Sequence, residues 1–212
     1  MTSVPPEWLN ATLAADAVTV AASGGAGGRY VILPGMLRPL RPEWRVIGPA
    51  YTVQASTDDN LAVNLAVKAP PPRGCVLVVG GHGLSQTATV GDLMAHEFRN
   101  LGVAAIVTDG LVRDAQELRA LGLPIWCRGV TPIASVKIDP GRVGHGTVIG
   151  GVPVQDGDLV IADDDGAVVW PAAEYEALLR AAAAKREADD ARMARLSAAA
   201  PAERNPNEWP AK

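Results

Sequence analysis

An acid at position 92 and an Arg-Asp pair at 113 and 114, with twenty residues between, are the side chains of this chain best suited to chemistry. Asp92 and Asp114 offer a divalent cation hard oxygen ligands, and the Arg113 guanidinium offers a developing anion a fixed positive fork. Together they point to chemistry that passes through a metal-held enolate. Each also has a structural alternative. Asp92 fits a helix N-cap, Asp114 followed by Glu117 fits a capping box, and Arg113 beside Asp114 fits a surface ion pair of little energetic consequence.

Stepping out along the chain, Cys75 to Val79 is a short, β-branched, uninterrupted apolar run, as expected of a strand covered on both faces. Leu93, Met94, Glu97, Phe98 and Leu101 then recur at helical spacing, with Gly102 placed for a left-handed cap. Val103 to Thr108 reads as a second strand, Asp109-Gly110 as a turn, Asp114 to Leu121 as a helix closed by Gly122, and Pro124 to Cys127 as the start of a third strand. Strand, helix, strand, helix, strand makes right-handed crossovers with parallel strands, whose following loops open on one edge of the sheet. That order places Asp92 and the Arg113-Asp114 pair as neighbours in space. Gly91 permits close backbone approach, and the amides of Leu93 and Met94 at the helix start are candidates for holding a substrate carboxylate.

Composition agrees with a single sizeable α/β domain: 212 residues, 48% hydrophobic, formal charge -4. No basic stripe invites nucleic acid, and no apolar run approaches 18 residues, so neither nucleic acid nor membrane is expected as a partner. The segment Met1 to Pro6 lacks the regions of a secretory signal, and Cys75 and Cys127 fall in expected buried strands, which together suggest a reducing, cytoplasmic setting. No cysteine or histidine cluster has the spacing of a zinc site.

The motifs Gly91-Asp92-Leu93, Val107 to Asp114, Thr131-Pro132, Gly150 to Val154 and Gly157 to Gly166 carry a resemblance. Over roughly residues 37 to 171 the chain resembles the RraA-like family, and its acid-x20-Arg-Asp pattern is similar to that of class II pyruvate aldolases. Those enzymes cleave 4-hydroxy-4-methyl-2-oxoglutarate and 4-carboxy-4-hydroxy-2-oxoadipate. The resemblance implies a swivelling β/β/α sandwich, with Asp114 ligating Mg²⁺ or Mn²⁺ directly and Asp92 through water. It further implies Arg113 at the keto oxygen that becomes an enolate, and the Leu93 and Met94 amides on the pyruvyl carboxylate. Lys137 and Asn60 match positions near the site, although Lys137 reads equally as a solvated charge and Asn60 as the start of the apolar helix Leu61 to Val67. Oxaloacetate decarboxylation is the implied second activity. Relatives form trimers or hexamers with sites near subunit contacts, so a homotrimer or homohexamer whose neighbouring chain supplies an acid is implied. Others in the family bind an endoribonuclease without catalysis, which makes a regulator the competing function. An enzyme of the same fold acting on an unrelated 2-oxo acid is a third.

Several segments remain. Residues 5 to 17 suggest an entry helix, followed by Gly24-Gly25-Ala26-Gly27-Gly28, where the chain departs from the family pattern. Residues 46 to 54 and 147 to 170 carry short β runs and turns, expected to make a more antiparallel layer. A helix from about Ala172 to Leu196, with an apolar stripe at Tyr175, Leu178, Leu179 and Ala182, closes a domain of residues 1 to 198 and precedes a mobile tail, 199 to 212. Gly80-Gly81-His82-Gly83 lacks the helix and acid of a dinucleotide loop, and His82 reads as a residue at the pocket mouth, as a solvated one, or as a general base. Asp163-Asp164-Asp165-Gly166 reads as a turn between strands rather than a metal cluster.

Overall fold

The computed structural model describes residues 36–198. In chain order its elements are β1 (Arg38–Pro39), β2 (Val46–Gln54), α1 (Leu61–Lys68), β3 (Val76–Gly80), β4 (Ala88–Val90), α2 (Asp92–Leu101), β5 (Ala105–Thr108), β6 (Leu111–Val112) and α3 (Ala115–Leu121). There follow β7 (Ile125–Cys127), β8 (Gly129–Val130), β9 (Arg142–Val143), β10 (Thr147–Ile149), β11 (Val152–Val154), β12 (Leu159–Asp163), β13 (Gly166–Trp170), a 3₁₀ turn (Ala172–Glu174) and α4 (Tyr175–Ala198). The expected entry helix, the Gly24 to Gly28 break and the tail from 199 lie outside the described residues.

The main sheet runs β1-β7-β5-β3-β2-β12-β13, with β9 paired to β2. Strands β2, β3, β5 and β7 are parallel; β3, β5 and β7 are the apolar runs expected to be so, and every residue of β3 and β5 is buried. The expected antiparallel layer takes a different form. Strand β2 pairs parallel with β3 on one side and antiparallel with β12 on the other, so β12 and β13 extend the same sheet. Among the described residues only the β10-β11 hairpin stands apart from the main sheet as an antiparallel pair.

The sheet is strongly curled. Strands β1 and β12 are five neighbours apart, which in a flat sheet would separate them by about 24 Å. Yet an Arg38 Nη donates to the Asp164 carbonyl at 2.8 Å, and Trp126 Nε1 in β7 donates to the Asp163 carbonyl at 2.7 Å. The first reaches the two-residue turn between β12 and β13 and the second the end of β12, where Asp163 pairs with Gly166. The aspartate run is therefore a hairpin turn, as its Asp-Gly end suggests.

Helix α2 forms for legible reasons. Ala95 and Phe98, one turn apart, face the core, Asp92 sits in the positive first turn and Arg99 in the last. Gly102 stops it at φ 86°, with Gly102 N–H donating to Arg99 and Val103 N–H to Phe98, the paired bonds of a Schellman cap. Helix α1 packs on β2 and α2, and α2 packs on α3. Cys75 and Cys127 are buried free thiols, and burial pushes them up to about 12 and about 11, so they behave as small core residues. Helix α4 is buried at Leu178 and Ala182 and then runs out exposed, with Met193 and Leu196 more than half open. No described helix is long and apolar enough to cross a membrane.

Phe98 is fully buried and fixes the helix that begins at Asp92. Phe98→Ala should lower stability by about 3–5 kcal/mol, read from urea unfolding, and a loss under 1 kcal/mol would contradict this packing.

Candidate active site

Three very short strands position the site. Strands β4, β6 and β8 form a second parallel sheet beyond the carboxyl ends of β3, β5 and β7. In it Val90 pairs with Val112 and Val112 with Val130, and the next amides continue the ladder: Arg113 N–H donates to Val90 at 2.9 Å and Thr131 N–H to Val112 at 3.0 Å. The residues that leave this sheet, Gly91-Asp92 and Arg113-Asp114, must then run side by side. Sequence reasoning brought them together through the main sheet, and the small sheet is the feature it missed. Strands of two or three residues carry no period to read.

The contact between the two loops is direct. Asp92 N–H donates to Asp114 Oδ2 at 3.3 Å, and Arg113 Nε donates to both Asp114 oxygens at 3.2 Å. A methyl on Gly91 would come within 2.8 Å of Asp114 Oδ2, so the glycine makes room for that carboxylate. Burial raises the Asp114 pKa, but the Asp92 amide, the Arg113 guanidinium and the Asp92 side chain outweigh it and hold the carboxyl below its ordinary range.

The structural alternatives, an N-cap at Asp92 and a capping box at Asp114, do not form. Gly91 rather than Asp92 is the N-cap of α2, and Asp114, the N-cap of α3, makes no side-chain cap bond. Asp114 instead adopts φ 61° and ψ 45°, the left-handed region, where a non-glycine residue stores about 1–3 kcal/mol and Asp is among the more tolerant types. The strain turns its carboxylate toward Asp92 and away from the helix it precedes. The pair with Arg113 is partly exposed, 41% and 28%, so its attraction is modest and its value is geometric. Neither terminal Arg113 nitrogen makes a hydrogen bond among the described residues, which leaves them for a ligand.

A cleft of about 310 Å³ opens beside these groups, lined by Gly91, Asp92, Leu93, Met94 and Arg113 on one side and Asn60, Lys137, Ala88 and Ala134 on the other. All the cleft-side residues named from sequence therefore meet here, and Asp114 adjoins them beneath Arg113 and lines a second, more open hollow with Thr131 and Pro132. Asn60 is buried as the N-cap of α1 without a side-chain cap bond, its Nδ2 donating to Thr89 at 3.2 Å. It is thus more than a helix start. Lys137 is exposed on the segment facing α2. Asn64, Glu97 and Ser135 also line the cleft and were not anticipated, although Glu97 follows Leu93 and Met94 at helical spacing.

The far wall is held by carboxylates that sequence did not single out. Asp59 Oδ2 accepts from Ile138 and Asp139 N–H at 2.7 and 2.8 Å, and its Oδ1 accepts from Leu61 N–H at 2.9 Å. Asp58, at φ 59°, accepts from the amides of Gln86 and Thr87 and from the Thr87 hydroxyl. His82 is neither at the pocket mouth nor solvated. It is fully buried, with Nε2 2.9 Å from the Asp59 carbonyl and Nδ1 2.8 Å from Thr89 Oγ1, because the glycines around it let three loops close over it. That burial also removes it from reach as a general base.

The donor set fits a hard divalent ion. Two adjacent carboxylates present oxygens, and no third His, Cys, Asp or Glu joins a cluster among the described residues. Mg²⁺ and its like are satisfied by one or two carboxylates with water filling the rest, while structural zinc needs nitrogen and sulfur ligands.

Comparison with known proteins agrees on the family and gives two kinds of named function within it. A family model described as RraA-like, Aldolase/RraA, matches residues 14–169. A protein of Halalkalibacterium halodurans named as a candidate 4-hydroxy-4-methyl-2-oxoglutarate aldolase is 39% identical over 165 residues, 78% of either chain. The crystal structure of Streptomyces coelicolor RraAS2, described as an unusual member of the RNase ES inhibitor RraA protein family, superposes with TM-score 0.76 at 31% identity, covering 90% of this chain and 98% of that one. The RNA-processing inhibitor RraA from Thermus thermophilis superposes with TM-score 0.60 at 31% identity, covering 66% and 84%.

The wall has a pH signature. Burial raises the Asp59 pKa, but the amides of Leu61, Asp139 and Ile138 outweigh it and lower the value overall. A lowered folded pKa stabilises fully above the unfolded value of about 4 and loses that stabilisation as pH falls through the folded value. Asp59→Asn should therefore be less stable than the parent at pH 6 and lose less on going from pH 5 to pH 3. Parallel urea midpoints across that range would contradict the assignment.

Proposed function

Since the chain belongs to the RraA-like family, we propose that it is a divalent-metal-dependent class II pyruvate aldolase. Its substrate is a 4-hydroxy-2-oxo acid of the 4-hydroxy-4-methyl-2-oxoglutarate type, cleaved to pyruvate and a second 2-oxo acid. The observation that carries this reading is the meeting of Asp92, Arg113 and Asp114 at the amino end of α2, beside a small polar cleft. The H. halodurans relative's name supports the substrate type. Mg²⁺ or Mn²⁺ would be held by Asp114 with Asp92 beside it, and when bound it supplies Lewis acidity at the substrate keto oxygen.

The residues of the chain do the rest. The N–H groups of Leu93 and Met94, which have no acceptor within the helix, bind the carboxylate next to the ketone, helped by the helix dipole. The free Arg113 nitrogens face the keto oxygen. As the C3–C4 bond breaks, its electron pair moves onto that oxygen, and a guanidinium already in place stabilises the charge as it forms. Asp92, acting through a water, takes the C4 hydroxyl proton, so C4 becomes the new carbonyl, and returns it to C3 to complete the methyl of pyruvate. Oxaloacetate reaches the same enolate by losing CO₂, which makes decarboxylation the expected side activity.

Two further features belong to this reading. Leu93 and Ile138 are each 77% exposed, and Ile133 and Val136 are more than half exposed on the segment that carries Lys137, a density of open apolar side chains at the cleft rim that suits cover by another copy in a homotrimer or homohexamer. The same reading makes this a cytoplasmic protein, while the domain bounds of 1 to 198 and the tail 199 to 212 extend beyond the described residues. The names of the two solved relatives favour a second reading, a ribonuclease regulator. A docking surface has no use for a strained aspartate held between an amide and a guanidinium, so we rank it below.

With Mg²⁺ and oxaloacetate, lactate dehydrogenase should oxidise NADH above the metal-only rate, and EDTA should abolish the difference. Arg113→Ala should reduce kcat by about 10²–10³-fold. Asp114→Asn, a substitution the left-handed backbone accepts, should leave the fold intact and remove the metal-dependent rate. Flat traces over oxaloacetate and several 4-hydroxy-2-oxo acids would favour the regulator.

A further inference from the structure

We propose that His82 is a positioning residue that couples the two walls of the cleft, each ring nitrogen holding one wall. Nε2 lies 2.9 Å from the Asp59 carbonyl, which can only accept, so this nitrogen carries the proton. Nδ1 is then an acceptor, and it lies 2.8 Å from the Thr89 hydroxyl, which donates to it. One neutral tautomer satisfies both partners at once. The ring is fully buried, and burial pushes its pKa down against the opposing pull of Asp109, Asp58 and Asp59, which keeps it neutral.

What lies behind each nitrogen gives the ring its role. Asp59 carries the neighbouring Asn60 and fixes Ile138 and Asp139, the two residues that follow Lys137. Val136 N–H also donates to the Asp58 carbonyl, and Asn60 N–H to that of Val136. The Nε2 bond therefore sets the wall that faces the substrate's tail. Thr89 is the middle residue of β4, which ends at Val90 and delivers Gly91 and Asp92. The Nδ1 bond sets the wall that does the chemistry. The backbone of His82 adds a third tie, its N–H donating at 2.9 Å to Asp109, the residue before the Gly110 turn into β6. A methyl on Gly110 would come within 2.7 Å of His82 Cβ and 2.1 Å of Thr89 Oγ1, so the ring, the strand and the turn are packed without slack.

Two substitutions separate the nitrogens. Asn at 82 places an acceptor near Nδ1 and nothing near Nε2, while Gln places a donor near Nε2 and nothing near Nδ1. His82→Asn should lose about tenfold in hydrogen-exchange protection at Ile138 and Asp139 and raise KM with kcat little changed. His82→Gln should keep that protection, lose it at β4, and lower kcat with KM little changed. Thr89→Val should reproduce the glutamine variant and Thr89→Ser should rescue it, which covers the case in which a change at 82 fails to fold. Long-range ¹H–¹⁵N spectra of the unaltered protein at about pH 7.5, above the value of an ordinary histidine, should show a single Nε2–H imidazole. Only the kinetic split rests on the aldolase reading. Absent turnover in the parent would sink that reading, while an Nδ1–H imidazole, or identical exchange patterns in the two variants, would overturn the role of His82.

Discussion

The bond from the Arg113 amide to the Val90 carbonyl is the constraint on which the site depends. It extends the ladder of β4 and β6 by one residue, and so fixes in register two chain segments that are twenty residues apart. Once Val90 and Val112 are paired, the next residues on both strands have nowhere to go but alongside each other. The Asp92 amide then meets the Asp114 carboxylate, and Gly91 is the residue over which it passes. The side chains of the candidate site are consequences of a backbone pairing that involves none of them.

That dependence explains why the site sits outside the main sheet. Strands β3 and β5 are buried throughout and filled with valine, leucine and isoleucine, an environment that would impose a heavy desolvation cost on any carboxylate. The small sheet carries the chain a few residues further, to an edge where Arg113 and Asp114 are partly exposed and water can share the charge. The buried aspartate nearest this path, Asp109, follows β5 directly. Burial pushes its pKa up, and it is occupied by the His82 and Gly150 amides. Position along the path, more than residue type, decides which aspartate can hold a ligand.

Much of this was readable from residues. The three parallel strands, both helices, their left-handed glycine caps at 102 and 122 and the turn at 164 and 165 ahead of Gly166 follow from apolar runs and punctuation, and they appear where expected. What was not readable is held by backbone hydrogen bonds instead of burial. Strands β4, β6 and β8 contain seven residues in place of a pattern, two to three each. Asp114 followed by Glu117 satisfies every rule for a capping box and still does not form one, because pairing upstream forces the residue into the left-handed region. Asp58 and Asp59 drew no reading from sequence, since amide partners 28 residues away for Asp58 and 80 residues away for Asp59 leave no local trace. Asn60 and Lys137 were reached through resemblance, and periodicity alone would have passed over both.

The two walls of the cleft are consequently built on different principles. The α2 side is rigid through burial: Ala95 and Phe98 lie in the core, and the first turn is carried on them. The opposite side, residues 134 to 139, is mostly exposed and owes its place to a few polar bonds onto Asp58 and Asp59. Bonds of that kind contribute about 1 kcal/mol each when satisfied and cost more when one partner is lost, so this wall opens at lower free energy than the other. A fixed chemical wall facing a looser one suits a reaction whose conserved part is the pyruvyl group and whose variable part is the tail. Under the proposed aldolase reading, the carboxylate and ketone would meet the half of the cleft fixed by burial, and differences among tails would fall on the half held by fewer bonds.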